Sequence, residues 1–254
     1  MKAIVIIPAR YASTRFEGKL LAPLLEKPMI QWTYESAQKA TTINEVIVAT
    51  DDERIFTVVN GFGGQVVMTS PHHICGTDRV AEVARNLDCE IVVNCQGDEP
   101  LIRPEHIDQL VMGLKDDPRT EMATLKTKIR DREELICPHV VKVVTDQEGF
   151  ALYFSRSPLP FIKKAWKDLT SITDDHVMDG GLFKHIGIYG YRRPFLLTLS
   201  SLHPTPLEKR EELEQLRALE YGYRIKVMIT EYDSWRVDTH EDLTKVEEML
   251  RGKI

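Results

Sequence analysis

Ala3-Ile4-Val5-Ile6-Ile7 runs directly into Pro8-Ala9-Arg10-Tyr11-Ala12-Ser13-Thr14-Arg15-Phe16-Glu17-Gly18-Lys19. The five apolar residues read as a buried strand. Its end delivers three cations and the hydroxyls of Ser13 and Thr14 within a dozen residues. Open α/β sheets bind ligands at the C-terminal ends of their strands. In that place Arg10 and Arg15 offer bidentate forks and Lys19 a point charge, while Gly18 frees the backbone N–H groups to approach. The stretch points to a polyphosphate, hence to nucleotide chemistry. Read blandly, it is a charged surface loop that caps a helix.

Outward from this stretch, strand and helix patterns alternate. Residues 2–7, 46–50, 66–68 and 91–93 read as strands. Residues 29–40, a short segment ending near Asn60, and 104–115 read as helices. Val80, Val83, Ala84 and Leu87 recur at helical spacing and mark a further amphipathic helix. Successive βα units imply a mostly parallel sheet with helices on both faces. Beyond residue 120 the pattern changes. Residues 121–128, 139–145, 150–155 and 186–191 read as strands, and 163–183 as a long polar loop. Helices are expected at 193–200 and 207–221, then a strand at 225–230. A last helix starts at Thr239, with Asp242 completing a capping box. The simplest organisation is one domain over 1–254 with an inserted lobe at about 120–200.

Composition narrows the function. The 254 residues carry 33 basic and 39 acidic side chains, a formal charge of −6, which disfavours a general nucleic-acid binder. The first nineteen residues oppose that balance: Lys2, Arg10, Arg15 and Lys19 face Glu17 alone. Cysteines at 75, 89, 95 and 137 lack CxxC spacing, so they read as reduced thiols rather than a zinc site. No apolar run approaches membrane-spanning length and no leader pattern is present, so a cytoplasmic protein without membrane insertion is expected. Gly18-Lys19 has Ser13 where a P-loop needs glycine, and Gly61-Phe62-Gly63-Gly64 fails the dinucleotide fingerprint. An ordinary P-loop ATPase and a dehydrogenase are therefore excluded.

Further candidates lie at strand and helix ends. Cys75-Gly76-Thr77-Asp78-Arg79 opens a helix, with Thr77 expected as its N-cap and Gly76 allowing close ligand approach. Asp98 sits in Gln96-Gly97-Asp98-Glu99-Pro100, just after a strand, a suitable place for a carboxylate on Mg²⁺. Asp238 lies 140 residues further on, before the last helix. The two acids can meet at one edge of the sheet, although each also reads as an ordinary turn or helix-end charge. His185, Gly187, Tyr189 and Tyr191 alternate onto one strand face that suits a hydroxylated ligand or a packed, satisfied histidine. On a helix over 207–221, Glu214 falls about 160° from Leu216 and so faces solvent, or else a ligand.

The ordered set of segments resembles the 3-deoxy-manno-octulosonate cytidylyltransferase family, the CMP-Kdo synthetases. The matching residues are Pro8-Ala9-Arg10-Tyr11, Ser13-Thr14-Arg15, Gly18-Lys19, Gly76-Thr77-Asp78-Arg79 and Val93 to Pro100. Tyr153 to Ser157, His185 to Tyr191, Glu214-Gln215-Leu216-Arg217 and Val237-Asp238-Thr239 follow in order. Glu17 stands where the family usually has proline and Cys75 where it usually has serine. The resemblance implies a three-layer Rossmann-like nucleotidyltransferase fold, with the lobe binding sugar and forming a homodimer. It implies that CTP and Kdo give CMP-Kdo and pyrophosphate for lipopolysaccharide synthesis, with Mg²⁺ on Asp98 and Asp238. Arg10, Lys19, Asp98 and Asp238 would be catalytic. Pro8, Ala9, Arg10, Ser13, Thr14, Arg15, Lys19, Gly76, Thr77, Arg79 and Gln96 would contact the nucleotide. Gln96, Arg156, His185, Tyr189, Glu214 and Gln215 would bind the sugar. A modified acceptor such as 8-amino-Kdo, and a catalytically silent nucleotide-binding protein, stay open as alternatives.

Overall fold

The computed structural model describes residues 1–12, 16–163, 173–174, 177 and 181–252. β1 (Ala3–Ala9) leads through a 3-10 turn (Lys19–Leu21) and a small ribbon, β2 (Pro23–Leu24) with β3 (Lys27–Pro28), to α1 (Met29–Ala37). Then come β4 (Glu45–Thr50), α2 (Glu53–Gly61), β5 (Gln65–Met68), α3 (Gly76–Arg85), β6 (Ile91–Asn94) and α4 (Pro104–Asp116). The second half holds β7 (Met122–Lys128), α5 (Arg132–Ile136), β8 (Lys142–Thr145), β9 (Ala151–Ser155) and β10 (Phe183–Arg192). It closes with α6 (Arg193–Ser201), α7 (Pro206–Glu211), α8 (Gln215–Glu220), β11 (Ile225–Ile229) and α9 (His240–Arg251). No helix among the described residues is long and apolar enough to cross a membrane.

The main sheet runs in the order β11-β7-β10-β6-β1-β4-β5. Parallel pairing joins β1 to β4 and β6, β4 to β5, and β7 to β11, while β10 is antiparallel to β6 and β7. The α/β class and mostly parallel sheet expected from the βα pattern are present. Alternation along β1 divides the core. Ala3, Val5 and Ile7 pack with α1, α2, α4 and α9 on one face. Ile4 and Ile6 pack with α3, α6 and α8 on the other. A strand covered on both faces carries no polar alternation, which is why 3–7 reads as an unbroken apolar run. Within the span 120–200, β7 and β10 enter the main sheet, whereas β8 and β9 form a hairpin that joins it through β8 against β10.

The chain passes from β1 outward to β4 and β5, then crosses to β6 on the other side of β1. Ligand crevices of open α/β sheets form at such a reversal. Here β1 and β6 part after Ile6 and Asn94, while β1 stays in register with β4 as far as Ala9 and Thr50. Pro8, which has no N–H to donate, falls where β6 has left the ladder. Gly97 lets the β6 turn lie against β1, since a Cβ there would meet Ile30 Cδ1 at 3.1 Å and Pro8 O at 3.3 Å.

Two local expectations differ from the structure. The helix expected over 207–221 is broken into α7 and α8 at Glu212, whose φ is +52°. The break has a tertiary cause. Arg217 Nε and Nη2 form a fork on Glu208 at 2.9 and 2.6 Å, and Arg156 takes the carbonyls of Glu211 and Glu212. The second difference is at α3, whose N-cap is Cys75 rather than Thr77. The Thr77 hydroxyl instead donates to Glu214 Oε2 at 2.6 Å.

Candidate active site

The loop after β1 is shaped by two anchors. Gly18 N donates to Tyr11 O at 3.0 Å and closes it. Gly18 has φ +67°, and a Cβ would lie 2.8 Å from Tyr11 Cζ, so glycine is required there. Phe16 is buried against His240, with ring centroids 3.9 Å apart. These anchors set Lys19 in the wall of a cavity of ≈ 410 Å³. That volume lies in the range of sites for drug-sized ligands. Pro8, Ala9, Arg10, Lys19, Gly76, Arg79, Gln96, Asp98, Glu214 and Asp238 all line it, as do Cys75 and Arg236. Six separate stretches of sequence thus converge: the β1 end, the 3-10 turn at Lys19, the β6 end, the start of α3, the α7–α8 break and residues 236–238. Ser13, Thr14 and Arg15 lie outside the described residues.

The acids come together on a lysine. Lys19 Nζ donates to Asp98 Oδ2 at 2.6 Å, Asp238 Oδ1 at 3.0 Å and Val237 O at 3.0 Å. All three ammonium protons are thereby engaged. Arg236, which the sequence reading missed, donates from Nε to Asp98 Oδ2 at 3.0 Å and lies 3.4 Å from Asp238 Oδ1. Its signal was the spacing: Arg236 and Asp238 alternate onto one side of an extended segment. The Asp98 charge strengthens the guanidinium's hold on its proton. Asp98 Oδ1 is buried without a hydrogen-bond partner.

Residues 230–239 have neither helix nor strand, so side chains fix their course. Lys184 on β10 donates to Asp233 Oδ2 at 2.7 Å and also binds Glu134. Ser234 Oγ donates to Glu99 Oε2 at 2.5 Å, and Val237 N donates to Asp98 O at 2.9 Å. Burial pushes the Glu99 carboxyl up to about 7, against the Ser234 hydrogen bond. Thr239 and Asp242 then exchange the expected capping-box bonds at the start of α9.

Not every candidate reaches the cavity with a free group. Arg10 is exposed at its rim. Arg79 is buried, with Nη2 on Asp51 Oδ2 at 2.9 Å and Nη1 on the Thr69 hydroxyl. Gln96 Nε2 donates to Asn94 Oδ1 at 3.1 Å. Burial raises the Cys75 thiol well above its usual range, so it is inert at neutral pH. The residues expected at the sugar lie deeper. A second space of only ≈ 10 Å³ is lined by Tyr189, Glu214, Gln215 and Thr77. The Tyr189 hydroxyl donates to Gln215 Oε1 at 3.0 Å. Glu214 Oε1 and Gln215 Nε2 are buried without partners. Glu214 therefore faces this interior, because the α7–α8 break turns it inward.

His185 packs edge-on against Phe154, and its Nε2 lies 2.8 Å from Thr124 Oγ1. Thr124 Oγ1 donates to Ile188 O at 2.7 Å, leaving its lone pair for a proton on His185 Nε2. Desolvation pushes this histidine down to about 3, so it is neutral. Arg156 lies off both spaces. Its Nε donates to Glu211 O at 2.6 Å, Nη1 to Pro138 O at 3.0 Å and Nη2 to Glu212 O at 3.3 Å.

A crevice at the β1/β6 reversal, with cations at one strand end and two carboxylates opposite, has the parts of a nucleotidyl-transfer site. The chain belongs to the cytidylyltransferase family, whose sequence profile matches residues 4–226. More narrowly, it is 56% identical to the 3-deoxy-manno-octulosonate cytidylyltransferase of Geotalea uraniireducens (strain Rf4), across 99% of this chain and 100% of that one. It is 51% identical to the protein of the same name from Solibacter usitatus (strain Ellin6076), across 100% of this chain and 96% of that one. A solved CMP:2-keto-3-deoxy-manno-octonic acid synthetase complexed with CTP is 40% identical and superposes with a TM-score of 0.90, each chain covered in full. A 4-diphosphocytidyl-2C-methyl-D-erythritol synthase from Anaerococcus prevotii, 16% identical with a TM-score of 0.60 over 98% of this chain and 99% of that one, shares the fold.

Proposed function

We infer that this protein transfers CMP from CTP to 3-deoxy-manno-octulosonate, releasing pyrophosphate, with Mg²⁺ as cofactor. The product, CMP-Kdo, serves lipopolysaccharide synthesis. The observation that carries the reading is the meeting of Asp98, Asp238 and Lys19 at the end of β1 in a chain so similar to these synthetases. The anomeric oxygen attacks the α-phosphorus, the bond to the β-phosphate breaks, and the hydroxyl proton is lost. Such transfers depend on positioning and charge neutralisation more than on covalent help from the protein.

The residues fit magnesium. Asp98 has an unpaired buried oxygen, and Asp238 reaches the same lysine. Among the described residues no three His, Cys, Asp or Glu side chains form a complete ligand set. Two carboxylates completed by phosphate oxygens and water are the usual arrangement for Mg²⁺. When bound, the ion would polarise the α-phosphate and favour the ionised nucleophile. Arg10 supplies an exposed guanidinium for phosphate oxygens. Lys19, once the acids have another counter-charge, is placed to hold the departing pyrophosphate. Glu214 Oε1 and Gln215 Nε2 offer an acceptor and a donor to sugar hydroxyls. Tyr189 holds the amide oxygen of Gln215, and His185 packs beside Tyr189 with its Nε2 on the Thr124 hydroxyl.

The hairpin supports a homodimer: β9 lies outermost, with Leu152 and Phe161 each 63% exposed. Sedimentation analysis tests this, with a monomer overturning it. A cytoplasmic enzyme accords with its soluble, charged substrates. The deciding experiment measures pyrophosphate release from each of the four ribonucleoside triphosphates, with and without Kdo, and with a chelator. Release should require CTP and Kdo together and stop with the chelator. Equal release without Kdo would overturn the transfer.

A further inference from the structure

The reaction leaves Arg236 without a task, although it touches both acids. Its Nε donates to Asp98 Oδ2 at 3.0 Å and lies 3.4 Å from Asp238 Oδ1. Lys19 Nζ occupies the same gap, at 2.6 and 3.0 Å from the same two oxygens. Two negative charges therefore already face two positive ones. A divalent ion entering between Asp98 Oδ2 and Asp238 Oδ1 would have to displace both side chains and their charge-assisted hydrogen bonds. Asp98 Oδ1 is different: it is buried, lines the cavity wall through its residue, and has no partner to lose. A buried acceptor left unpaired costs free energy that a bound cation removes.

We propose that Arg236 is a positioning residue that acts as a built-in cation. With Lys19 it fills the gap between the acids and weakens binding of a divalent ion there until polyphosphate arrives. The inference rests on Asp98 and Asp238 being the metal's carboxylates. Its physical basis is charge. Before nucleotide binds, an incoming ion meets two cations held by the same carboxylates. A triphosphate supplies the negative charge that offsets them and draws Lys19 toward itself. Metal and nucleotide therefore bind together, and the free protein holds the ion poorly. Arg236 is suited to this part because its side chain is 57% exposed and sits on a segment without regular structure. Neutralising it removes charge without emptying the core.

Mn²⁺ alone, titrated into the nucleotide-free full chain and followed by the resonance of the unbound ion, tests the proposal. Arg236→Gln should bind Mn²⁺ at least about tenfold more tightly than the parent, because one unit of opposing charge is gone. Arg236→Lys should return the affinity to that of the parent, and Arg236→Met, which keeps an apolar stem, should match Arg236→Gln. Equal Mn²⁺ affinity in parent and both neutral variants overturns the proposal. So does a lysine variant that behaves like the neutral ones, since shape rather than charge would then be responsible. Asp98→Asn separates the two levels: if it binds Mn²⁺ as well as the parent, the metal assignment fails rather than the part given to Arg236. Melting curves confirm that each variant is folded.

Discussion

Asp98 and Asp238 meet on one lysine, but β6 delivers the first and an irregular segment delivers the second. Asp98 follows a buried strand, in a turn pressed against β1, and its side chain is 9% exposed. Asp238 follows residues 230–239, which have no ladder or helix, and its side chain is 26% exposed. The turn that carries Asp98 is tied to α1 by Thr33 Oγ1, which donates to Gly97 O at 3.1 Å. Asp238 depends on a chain of contacts through Lys184, Ser234, Arg236 and Val237. One of the two acids is thus set by secondary structure and the other by side-chain contacts along an irregular segment.

Breaking the better-held acid should have the largest effect. Asp98→Asn keeps the shape but removes the charge on which Lys19 and Arg236 converge. Pyrophosphate release should fall by about 10²–10³-fold while the melting curve stays near that of the parent. Turnover within tenfold of the parent would reduce Asp98 to a structural residue.

The other acid is tested through its support. Lys184→Met leaves Glu134 and Asp233 without their shared buried cation, which should lower stability by about 3 kcal/mol. The urea midpoint measures this, and limited proteolysis should cut within 230–239. An unchanged midpoint would mean that the segment is held by other contacts.

Lys142 sharpens the comparison, since it pairs in register with Lys184 across β8 and β10. Among the described residues it forms no ion pair, and it donates to the carbonyls of Cys137 and Val140. Burial pushes its pKa down to about 8 from 10.5. Between those values the unfolded chain binds the extra proton, so stability rises with pH across that window and levels off above it. The gain is about 3 kcal/mol in total. Lys142→Met should abolish this rise, read as the difference between its denaturation midpoints and those of the parent at pH 7.5 and 10. Parallel pH profiles would contradict the shift.

The smallest effect concerns the break that turns Glu214 inward. Glu212→Gly should relieve left-handed backbone strain and raise stability by about 0.5–1 kcal/mol, visible in the melting temperature. A destabilised variant would show that the Glu212 side chain matters more than its backbone.

Much of this was legible before the fold was known, for reasons that differ by region. β1, β4 and β6 announce themselves because burial on both faces demands unbroken apolar runs. The start of α9 was legible because Thr239 and Asp242 satisfy each other's backbone within four residues. Helices α7 and α8 were not separable, because 207–221 contains no glycine or proline to mark the break. The break is enforced by the Arg217–Glu208 fork and by Arg156 reaching across from β9. Thr77 reads locally as a cap for a similar reason: its partner, Glu214, lies 137 residues away.

Local order in the chain determined which residues stand at strand ends: the cations after β1, Asp98 after β6, and Asp238 ahead of α9. Periodicity and capping act over a few residues, so they can be read along a line. Tertiary structure alone decided that Lys19 spans both acids, that Arg236 joins them, and that Glu214 points inward. Those outcomes depend on hydrogen bonds between residues 79 to 219 positions apart, and no local pattern records such contacts.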